Sequence, residues 1–533
     1  MSLLLLLAAP STAQAQTQAA PPDPGVISSQ TLNQQRRALE EAPAPQEDEA
    51  AVTGTREESA SSMPDSAVRF ELRAVEFDPS EFLTSDELAG VAEPYIGTEV
   101  GFPNLNAIAQ GVNALYDELG LVTARAVLLP QTIEGGTVRI SLIEGAVGAV
   151  EVDTADQLSA EEAIRRSGLE AGEILDTRKL ERRLSLINRT NPVQIRAGLK
   201  PGEQFGLTDI QLAVIAPEAN LLQVFADNHG FDTVGQWQGG GYYRRTGLIG
   251  ASDRLSAYVA ASEGALSGTV AYDAAILGPT TRLGLSYGRS RSEIVNGPFA
   301  VVGSVGKTEN VALNYSQPIA SSSTELLLAS LTAGTSNTRN FASGVFVNAV
   351  RTNKAGAGLS YSYLAPGVSV QANVNTLIAR ASLIGNADKT TFGVFSGTVF
   401  AEKRLDATFG IRGFAGWQAI SSNGVPGDIL FQIGGASTVR GYEQSALSGD
   451  GGYYLNAEVD AKVADGFNLF AFADHGRIFT QRVQEKTITA VGAGLSLSLL
   501  KHLSIRATGG LPLRRLAGQS RDPQFFLRAQ LQF

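Results

Sequence analysis

The stretch Gln-Phe-Phe-Leu-Arg-Ala-Gln-Leu-Gln-Phe, residues 524–533, decides the fold. Apolar side chains occupy every second position of it, namely Phe525, Leu527, Ala529, Leu531 and Phe533. About ten residues of tilted strand cross a bilayer, and a strand tolerates lipid only when a closed barrel satisfies its backbone hydrogen bonds. The stretch therefore predicts an outer-membrane β-barrel, and Phe533 is expected to serve as its C-terminal assembly signal.

The composition of the whole chain agrees with a barrel. The 533 residues include 57 Gly, 23 Phe and 13 Tyr, and the net charge is −11. A run of about 18 apolar residues, which a transmembrane helix needs, is missing, so any membrane segment is expected to be a strand. The acidic balance and the scattered Arg and Lys argue against a nucleic-acid partner. Because cysteine is absent, disulfides and thiolate metal sites are excluded.

The first residues carry the pattern of a secretory signal. Leu3 to Ala9 is apolar, and the small-x-small sequence Ala13-Gln14-Ala15 follows it. These features predict a signal peptide over residues 1–15. Only Met1 and Ser2 precede the leucines, so the positively charged segment of such a signal is missing and the true start is expected upstream. The alternative is a short core helix.

A helix and a linker are predicted next. Ser28 or Ser29 is expected to cap a polar helix over Gln30–Glu40, whose apolar face is too thin for a core. Residues 16–42 are therefore predicted to form a plug-like helix, and a disordered terminus without a role is the alternative. Residues 43–66 are rich in Pro, Ala, Ser and Glu, which is typical of a flexible linker.

Residues 67–147 are predicted to form a first α+β module. A strand runs through Val75, helices cover Ser85–Ala92 and Leu105–Leu119, and strands cover Val122–Leu129 and Thr137–Ile143. The long helix repeats its apolar residues close to the helical period, so one face is expected to pack on a small sheet. The order is β-α-α-β-β.

Residues 148–217 repeat that order. The predicted elements are a strand at Ala149–Val152, helices at Ser159–Ser167 and Thr177–Asn188, and strands at Val193–Leu199 and Thr208–Ile215. Ser159 and Glu162 are expected to form a capping box at the first helix of this second module.

Residues 218–533 can be counted as a barrel from their turn signals. Short turns are expected at Ala251–Asp253, Gly278–Pro279, Gln317–Ser323, Pro366–Gly367, Lys403–Asp406, Asp465–Gly466 and Leu500–His502. Seven short turns separate eight hairpins, which gives sixteen strands with both barrel ends on the periplasmic side.

One hairpin is much longer than the others. The sixth, Ala407–Ala464, has about thirty residues more than two strands need, and a loop of that length is typically functional. It contains Val439-Arg440-Gly441-Tyr442, and the next hairpin contains Phe472-Ala473-Asp474-His475-Gly476. A guanidinium inside a barrel needs a bidentate anionic partner. We therefore expect Arg440 to pair with Asp474.

Together these motifs resemble a known family, the two-partner secretion transporters of the hemolysin-activator type. The resemblance rests on Tyr116–Thr123 (YDELGLVT), Leu129-Pro130-Gln131, Lys200-Pro201-Gly202, the VRGY sequence at 439–442 and the FxDxG sequence at 472–476. It implies two periplasmic POTRA domains before a 16-stranded transmembrane barrel in the outer membrane of a Gram-negative bacterium.

The resemblance also implies a function and its residues. Such a transporter exports a dedicated, unfolded exoprotein without nucleotide hydrolysis, contacts outer-membrane lipid and needs the barrel-assembly machinery for its biogenesis. Val439, Arg440, Gly441 and Tyr442 would form a lock at the tip of the sixth loop, against Phe472, Asp474 and Gly476 of the wall. For capture of the exoprotein we expect a groove with the residues Leu105, Leu119, Val122 and Leu129.

Sequence patterns typical of enzymes are weaker than the transporter motifs. Gly284–Gly288 fits the nucleophile-elbow pattern around Ser286, but it lies within an alternating strand. Gly306-Lys307-Thr308 ends like a phosphate-binding loop, yet the first glycine of that pattern is missing. The three histidines, His229, His475 and His502, are far apart in sequence. No enzyme, cofactor or metal is therefore expected, and an outer-membrane hydrolase is the rival from the enzyme class.

Two other barrels are rivals. A barrel-assembly factor that inserts other proteins would share the lock, but it usually carries more than two POTRA domains. A porin or plugged receptor would explain the barrel but not the two modules before it.

Overall fold

A computed structural model describes residues 23–40, 51–54, 69–153, 158–383, 389–422, 425–479, 486–499, 502–516 and 522–533, with side chains up to residue 32 in the first of these ranges. The predicted signal peptide lies outside the described residues. None of the helices in the described ranges is long and apolar enough to cross a membrane.

Helix α1, Pro24–Glu40, begins earlier than the sequence predicts. The Asp23 carboxylate accepts the N–H of Gly25 at 2.8 Å, so Asp23 caps the helix, and proline is favoured at the first helical position. Ser28 and Ser29, expected as caps, lie inside the helix and are buried. Strand β1, Val52–Gly54, follows within the segment predicted to be a linker.

The first module has the predicted order, with two short strands added. Its elements are β2 Phe70–Glu71, β3 Ala74–Phe77, α2 Ser85–Ala92, β4 Glu99–Val100, α3 Phe102–Glu118, β5 Ala124–Val127 and β6 Thr137–Glu144. Helix α3 packs Ile108, Val112 and Tyr116 into a core on the sheet β3-β6-β5. Thr84 and Glu87 form a full capping box at α2.

The second module repeats the arrangement. Its elements are β7 Ala146–Asp153, α4 Ala160–Ser167, α5 Thr177–Thr190, β8 Gln194–Pro201 and β9 Leu207–Ile215. Ser159 accepts the N–H of Glu162 at 3.3 Å. The Glu162 side chain pairs with Arg165 and Arg166 instead of returning to Ser159, so only half of the expected capping box forms.

Strand β1 completes the sheet of the second module, whose order is β1-β8-β9-β7. It runs parallel to β8, with Val52 opposite Ala197 and Gly54 opposite Leu199. The segment after α1 is therefore not a free linker throughout.

The rest of the chain forms the barrel and one inserted hairpin. The strands are β10 Asn220–Asp227, β11 Gln238–Thr246, β12 Arg254–Ser262, β13 Ala265–Ala275, β14 Arg282–Glu293, β15 Val305–Ser321, β16 Glu325–Ala342, β17 Val345–Ala365, β18 Val368–Leu383, β19 Lys389–Arg404, β20 Phe409–Ile420, β21 Phe431–Ile433, β22 Leu447–Gly449, β23 Gly451–Ala464, β24 Phe467–Phe479, β25 Thr487–Leu499, β26 Leu503–Pro512 and β27 Gln524–Gln532. All except β21 and β22 form one closed barrel of sixteen strands, in which β27 pairs with β10. The predicted fold class is confirmed.

The alternation of apolar and mostly polar residues predicted for residues 524–533 is present in β27. Phe525 is 72% exposed on the outer face, whereas Phe526 is 7% exposed and points inward. The predicted short turns on described residues all lie at one end of the barrel, the end that faces the second module, and residues 500 and 501 of the last predicted turn lie outside the described residues. One is shorter than expected, because β15 continues through a bulge between Pro318 and Ala320 and reaches Ser321.

Candidate functional site

The loop of the sixth hairpin, described at residues 421–422 and 425–450, folds back into the barrel. Its hairpin of β21 and β22 packs beside β23 and β24, and we call this segment loop 6. Gly434 and Gly435 have φ angles of 113° and 95°, which side chains disfavour, so glycine is needed where the loop turns toward its tip. The tip places Val439–Tyr442 against the inner wall.

Arg440 and Asp474 meet at this tip. The guanidinium donates from Nε to Asp474 Oδ2 at 2.8 Å and from Nη2 to Oδ1 at 2.9 Å. The backbone N–H of Arg440 donates to the same Oδ2 at 2.9 Å. Both side chains are buried, with 10% and 0% exposure. The pairing expected from the sequence is therefore present, in bidentate geometry.

A second carboxylate, Glu458 on β23, shares the guanidinium. Its Oε2 accepts from Arg440 Nη1 at 2.6 Å. Arg506 and Arg412 also reach Glu458, each at 3.1 Å. Sequence reasoning assigned no role to Glu458. The available signal was its position on the non-apolar face of the alternating strand 453–463, where a carboxylate points into the lumen.

Phe472 gives the wall motif an aromatic contact. The guanidinium carbon of Arg440 lies 3.6 Å from the centre of the Phe472 ring, within the range of a cation–π interaction. The ring covers one face of the guanidinium, and the two carboxylates accept hydrogen bonds from the N–H groups at the edge of the guanidinium. This division satisfies both the charge and the hydrogen-bonding groups of a buried arginine.

Glycines make room for the tip. A Cβ at Gly476 would lie 3.1 Å from Val439 Cγ2, so the glycine of the wall motif accommodates Val439. A Cβ at Gly510 on β26 would lie 1.4 Å from the carbonyl oxygen of Arg440, and one at Gly441 would lie 2.6 Å from Ala490 Cβ. Gly510 was not expected from the sequence, because its contact with loop 6 depends on barrel register.

Tyr442 anchors the other side of the tip. Its hydroxyl lies 2.8 Å from the carbonyl oxygen of Arg514 and accepts the Arg514 N–H at 3.2 Å. The side chain is 3% exposed and packs with Val439, Ile478 and Ile488. All four residues of the predicted lock thus contact the barrel or the loop that follows β26.

Helix α1 lies inside the barrel, beside β12–β16. A Cβ at Gly306 on β15 would lie 2.2 Å from the carbonyl carbon of Pro24, and a Cβ at Gly288 on β14 would lie 3.2 Å from Leu32 Cδ2. The N-terminal part of α1 also packs Ile27 against Val234 and Ile294, which lie in the loops at the end away from the modules. The expected plug-like helix therefore occupies the lumen.

The second module is joined to the barrel by polar contacts at three of the short turns. Arg166 Nη1 donates to Ser252 Oγ at 2.7 Å, in a buried position. Asn191 Nδ2 donates to the carbonyl oxygen of Pro279 at 2.6 Å, and Arg189 reaches the third turn. These contacts hold the module beneath the barrel wall.

The four residues expected to capture the exoprotein differ in how exposed they are. Leu105 is 4% exposed and packs in the core of the first module, because α3 presents its apolar face to the sheet, so its expected role is corrected. Leu119 is partly buried against that core. Val122 and Leu129 are 42% and 45% exposed, and only these two can readily contact a partner.

The enzyme-like patterns lie in barrel strands. Ser286 is 8% exposed, and its Oγ lies 3.5 Å from the carbonyl oxygen of Ala312 within the sheet. Gly306-Lys307-Thr308 belongs to β15 rather than to a loop before a helix. Within the described ranges, groups of three or more His, Asp or Glu that could hold a metal ion do not occur.

Comparison with known proteins identifies the family. The family model "Haemolysin secretion/activation protein ShlB/FhaC/HecB" matches residues 206–499, and the model "POTRA domain, ShlB-type" matches residues 70–145. The heme/hemopexin transporter protein HuxB of Haemophilus influenzae is 23% identical over 485 residues, 84% of each chain. The outer membrane transporter CdiB of Dickeya dadantii is 23% identical over 473 residues, 83% of each chain.

Solved structures agree on the fold. CdiB from Escherichia coli has a TM-score of 0.73 and 20% identity, and the match covers 97% of this chain and 100% of that one. BamA from Haemophilus ducreyi, lacking its POTRA domains 1–3, has a TM-score of 0.53 and 12% identity over 87% of this chain. The barrel-assembly alternative is less well supported than secretion, because the matching family model and the curated relatives are secretion proteins or transporters.

The family and the strand topology together determine how the protein is oriented in the outer membrane. The POTRA modules lie in the periplasm, the short turns of the barrel face them, and the long loops, with the N-terminal end of α1, lie at the extracellular side. The protein is an outer-membrane transporter of the two-partner secretion type. The chain belongs to the ShlB/FhaC/HecB family of haemolysin secretion/activation proteins.

Proposed function

We propose that the barrel lumen is the export path for an unfolded partner polypeptide, and that α1 closes it at rest. The observation that carries this proposal is the position of α1, which lies against β14 and β15 with Pro24 and Leu32 close to wall glycines. A helix with side chains is about 10 Å wide, so its departure frees a passage for an extended chain. No nucleotide hydrolysis or other catalysis is part of this function.

The chemistry of α1 suits a removable plug. Three consecutive buried residues, Ser28, Ser29 and Gln30, are polar, and only Ile27 and Leu32 add large buried apolar surface in the part with described side chains. Burial of apolar area is the main source of packing energy. The described part of α1, residues 24–32, therefore buries less apolar surface than a core helix segment of equal length.

Capture of the polypeptide is assigned to the first POTRA module. In that module Asn113 binds both backbone groups of Ala126 at the edge of β5, at 2.7 and 3.4 Å. In the second module Asn188 binds Ile195 in the same way, and β1 pairs with the next residues of that edge. The corresponding edge in the first module, beyond Ala126, lies beside the exposed Leu129. Strand addition there would supply affinity without demanding a particular sequence.

Loop 6 keeps its tip in the lumen during export under this proposal. The contacts of Arg440 with Asp474 and Glu458 fix the tip to β23 and β24, on the wall opposite to the strands that α1 covers. The lock thus preserves barrel shape when the plug leaves. Its other expected contacts are outer-membrane lipid around the barrel and, during biogenesis, the barrel-assembly machinery, which would engage the exposed Phe533 at the C-terminus.

The test uses the absence of native cysteine. A Cβ at Gly25 of α1 would lie 2.5 Å from Thr338 Cγ2 on β16, so Gly25→Cys with Thr338→Cys should form a disulfide that holds α1 in place. The matched control is Thr308→Cys with Thr338→Cys, because these residues are cross-strand partners on the wall.

Secretion of the partner into the culture medium is then compared in oxidising and reducing conditions. We expect the oxidised helix–wall pair to stop secretion and a reductant to restore it, while the wall–wall control secretes in both conditions. Export at the wild-type level with α1 fully cross-linked would refute the plug and the central lumen path together.

A further inference from the structure

The outer wall of the barrel carries a one-sided group of cations near its extracellular end. Six exposed residues on neighbouring strands β14 to β18 form it, and we call them the basic patch: Arg289, Arg291, Lys307, Arg339, Arg351 and Arg380. All six occupy outward-facing positions, because exposed and less exposed residues alternate along these strands.

The centre of the patch is a row of like charges. Arg291 lies directly opposite Lys307, and Lys307 lies directly opposite Arg339, on three adjacent strands. Directly opposed side chains in an antiparallel pair are about 5 Å apart at Cβ, and like charges in such positions are destabilising. An anion that bridges them would remove this cost.

The chain itself neutralises only part of the patch. Arg289 pairs with Glu309 at 3.6 Å, and Arg291 pairs with Glu293 at 3.0 Å. The Lys307 amine lies 4.9 Å from the centre of the Phe341 ring. Among the described residues, Arg339, Arg351 and Arg380 form no ion pair with an acidic side chain, so positive charge predominates on this face.

The patch borders the surface that faces lipid. Tyr287 precedes Arg289 by two residues, Val311 follows Lys307 by four, and all point outward and are exposed. Two residues of strand span about 7 Å. The cations therefore lie at the extracellular margin of the apolar band, where lipid headgroups begin.

Strands outside the patch differ at the same level, beginning with its direct neighbour β13, whose Leu266 lies opposite Arg291. The outward residues near the extracellular ends of β13, β26 and β27 are Leu266, Leu511 and Phe525, which are 60%, 50% and 72% exposed. The charge is thus not a general property of the rim. It is concentrated on β14 and on β15 to β18, and β15, β16 and β17 are the three longest strands among the described residues.

We propose that the basic patch binds the phosphate groups of lipid headgroups in the outer leaflet. Guanidinium groups match phosphate oxygens in bidentate geometry, and a row of three cations can hold one or two phosphates between strands. This inference deepens the lipid contact proposed above and rests on the outer-membrane location, not on the export path. Binding on one side would fix the rotation and tilt of the barrel relative to the leaflet.

The experiment measures binding of bisphosphorylated lipid A, as the probe, to the purified full-length chain in detergent by native mass spectrometry. The variant is Arg291→Gln with Lys307→Gln and Arg339→Gln. The matched control is Arg477→Gln, an exposed outward residue on β24. Because basic residues near a charged membrane surface each add to the attraction, the triple variant should bind the probe at least about tenfold more weakly.

The expected pattern has three parts. The wild type prefers bisphosphorylated over dephosphorylated lipid A, the triple variant loses that preference, and Arg477→Gln retains it. Equal binding of the two lipids by the wild type, or unchanged binding by the triple variant, would overturn the proposal. Loss of exoprotein secretion with unchanged lipid binding would assign the patch to the polypeptide instead and would also overturn it.

If the triple variant does not reach the folded, heat-modifiable form, Arg351→Gln with Arg380→Gln tests the same patch without the central row. This double variant should also bind bisphosphorylated lipid A more weakly, and unchanged binding would count against the proposal. Lipid binding is measured without the exoprotein, so its result is independent of the plug and of the lumen path.

Discussion

Asp474 on β24 holds Arg440 of loop 6 through three hydrogen bonds, and one of them comes from the backbone. The Arg440 N–H donates to Asp474 Oδ2 at 2.9 Å, beside the two bonds from the guanidinium. Asp474 therefore holds the backbone of loop 6 in position and also balances the charge of the Arg440 guanidinium. Replacement of Arg440 leaves the hydrogen bond from its backbone N–H possible, whereas loss of the Asp474 carboxylate removes all three hydrogen bonds.

We predict that Arg440→Ala abolishes secretion while the barrel still folds and inserts. The change leaves Asp474 buried without its ion-pair partner, which costs about 3–5 kcal/mol in a dry site and less where water enters the lumen. Secretion is measured in the culture medium and folding by heat-modifiable mobility. Arg440→Lys, which keeps the charge but cannot form the bidentate pair, should secrete at an intermediate level. Wild-type secretion by Arg440→Ala would contradict the lock.

Gly510 offers a test of the lock that leaves every charged residue in place. A Cβ there would lie 1.4 Å from the Arg440 carbonyl oxygen, so Gly510→Ala should displace the tip of loop 6 and reduce secretion strongly. Gly509→Ala is the matched control, since its Cβ would have the Phe525 ring as nearest neighbour at 3.4 Å. Protease sensitivity of loop 6 on intact cells measures the displacement. Equal sensitivity in the two variants would show that the tip is not held as described.

The lock motifs could be predicted because each is contiguous in sequence. VRGY and FxDxG each stand within five residues, and burial of a guanidinium requires a carboxylate, so Arg440 and Asp474 could be paired without coordinates. Glu458 and Gly510 could not be found in this way. They reach Arg440 through the register of β23 and β26, which a single sequence does not specify for strands separated by long loops.

The modules show where local patterns succeed and where packing overrides them. The β-α-α-β-β order followed from helical periodicity, and strand counting in the barrel followed from turn residues. Leu105 was expected to line an accessible groove, yet the same periodicity that identified α3 also buries this residue in the core. Strand β1 was missed because three residues in a Pro- and Ser-rich segment become a strand only by pairing with β8.

Tyr116 in the first POTRA module should make stability depend on alkaline pH. Its hydroxyl donates to Glu144 Oε1 at 2.9 Å in the buried core, and burial raises the pKa of this phenol well above its usual value. Below about pH 10 the phenol is neutral in both the folded and unfolded states, and its stabilising contribution is fully present. As the pH rises further, the unfolded state loses the proton first, so stability falls.

We therefore expect Tyr116→Phe to destabilise the module by about 1 kcal/mol at neutral pH and by less as the pH rises above 10. The measurement is the urea concentration at which a pulse of protease cleaves the first module of the full-length protein, at pH 8 and at pH 10.5. A difference between wild type and variant that stays constant, or grows, with pH would contradict the assignment to this phenol.

The seam between the first and last barrel strands, β10 and β27, distinguishes export through the lumen from lateral release into the membrane. Side-chain contacts hold this seam in addition to the backbone hydrogen bonds between the two strands. Arg528 Nη1 lies 3.0 Å from Asp227 Oδ2, and Asn228 binds the backbone of β27 through both its amide nitrogen and oxygen.

Ala226 and Ala529 are direct partners across this seam. Ala226→Cys with Ala529→Cys should therefore form a disulfide that keeps it shut. We expect secretion to continue at the wild-type level with the seam cross-linked, since a chain that passes along the lumen does not need to part these strands. A block of secretion that a reductant relieves would show that the seam opens during transport, and it would favour a path shared with barrel-assembly factors.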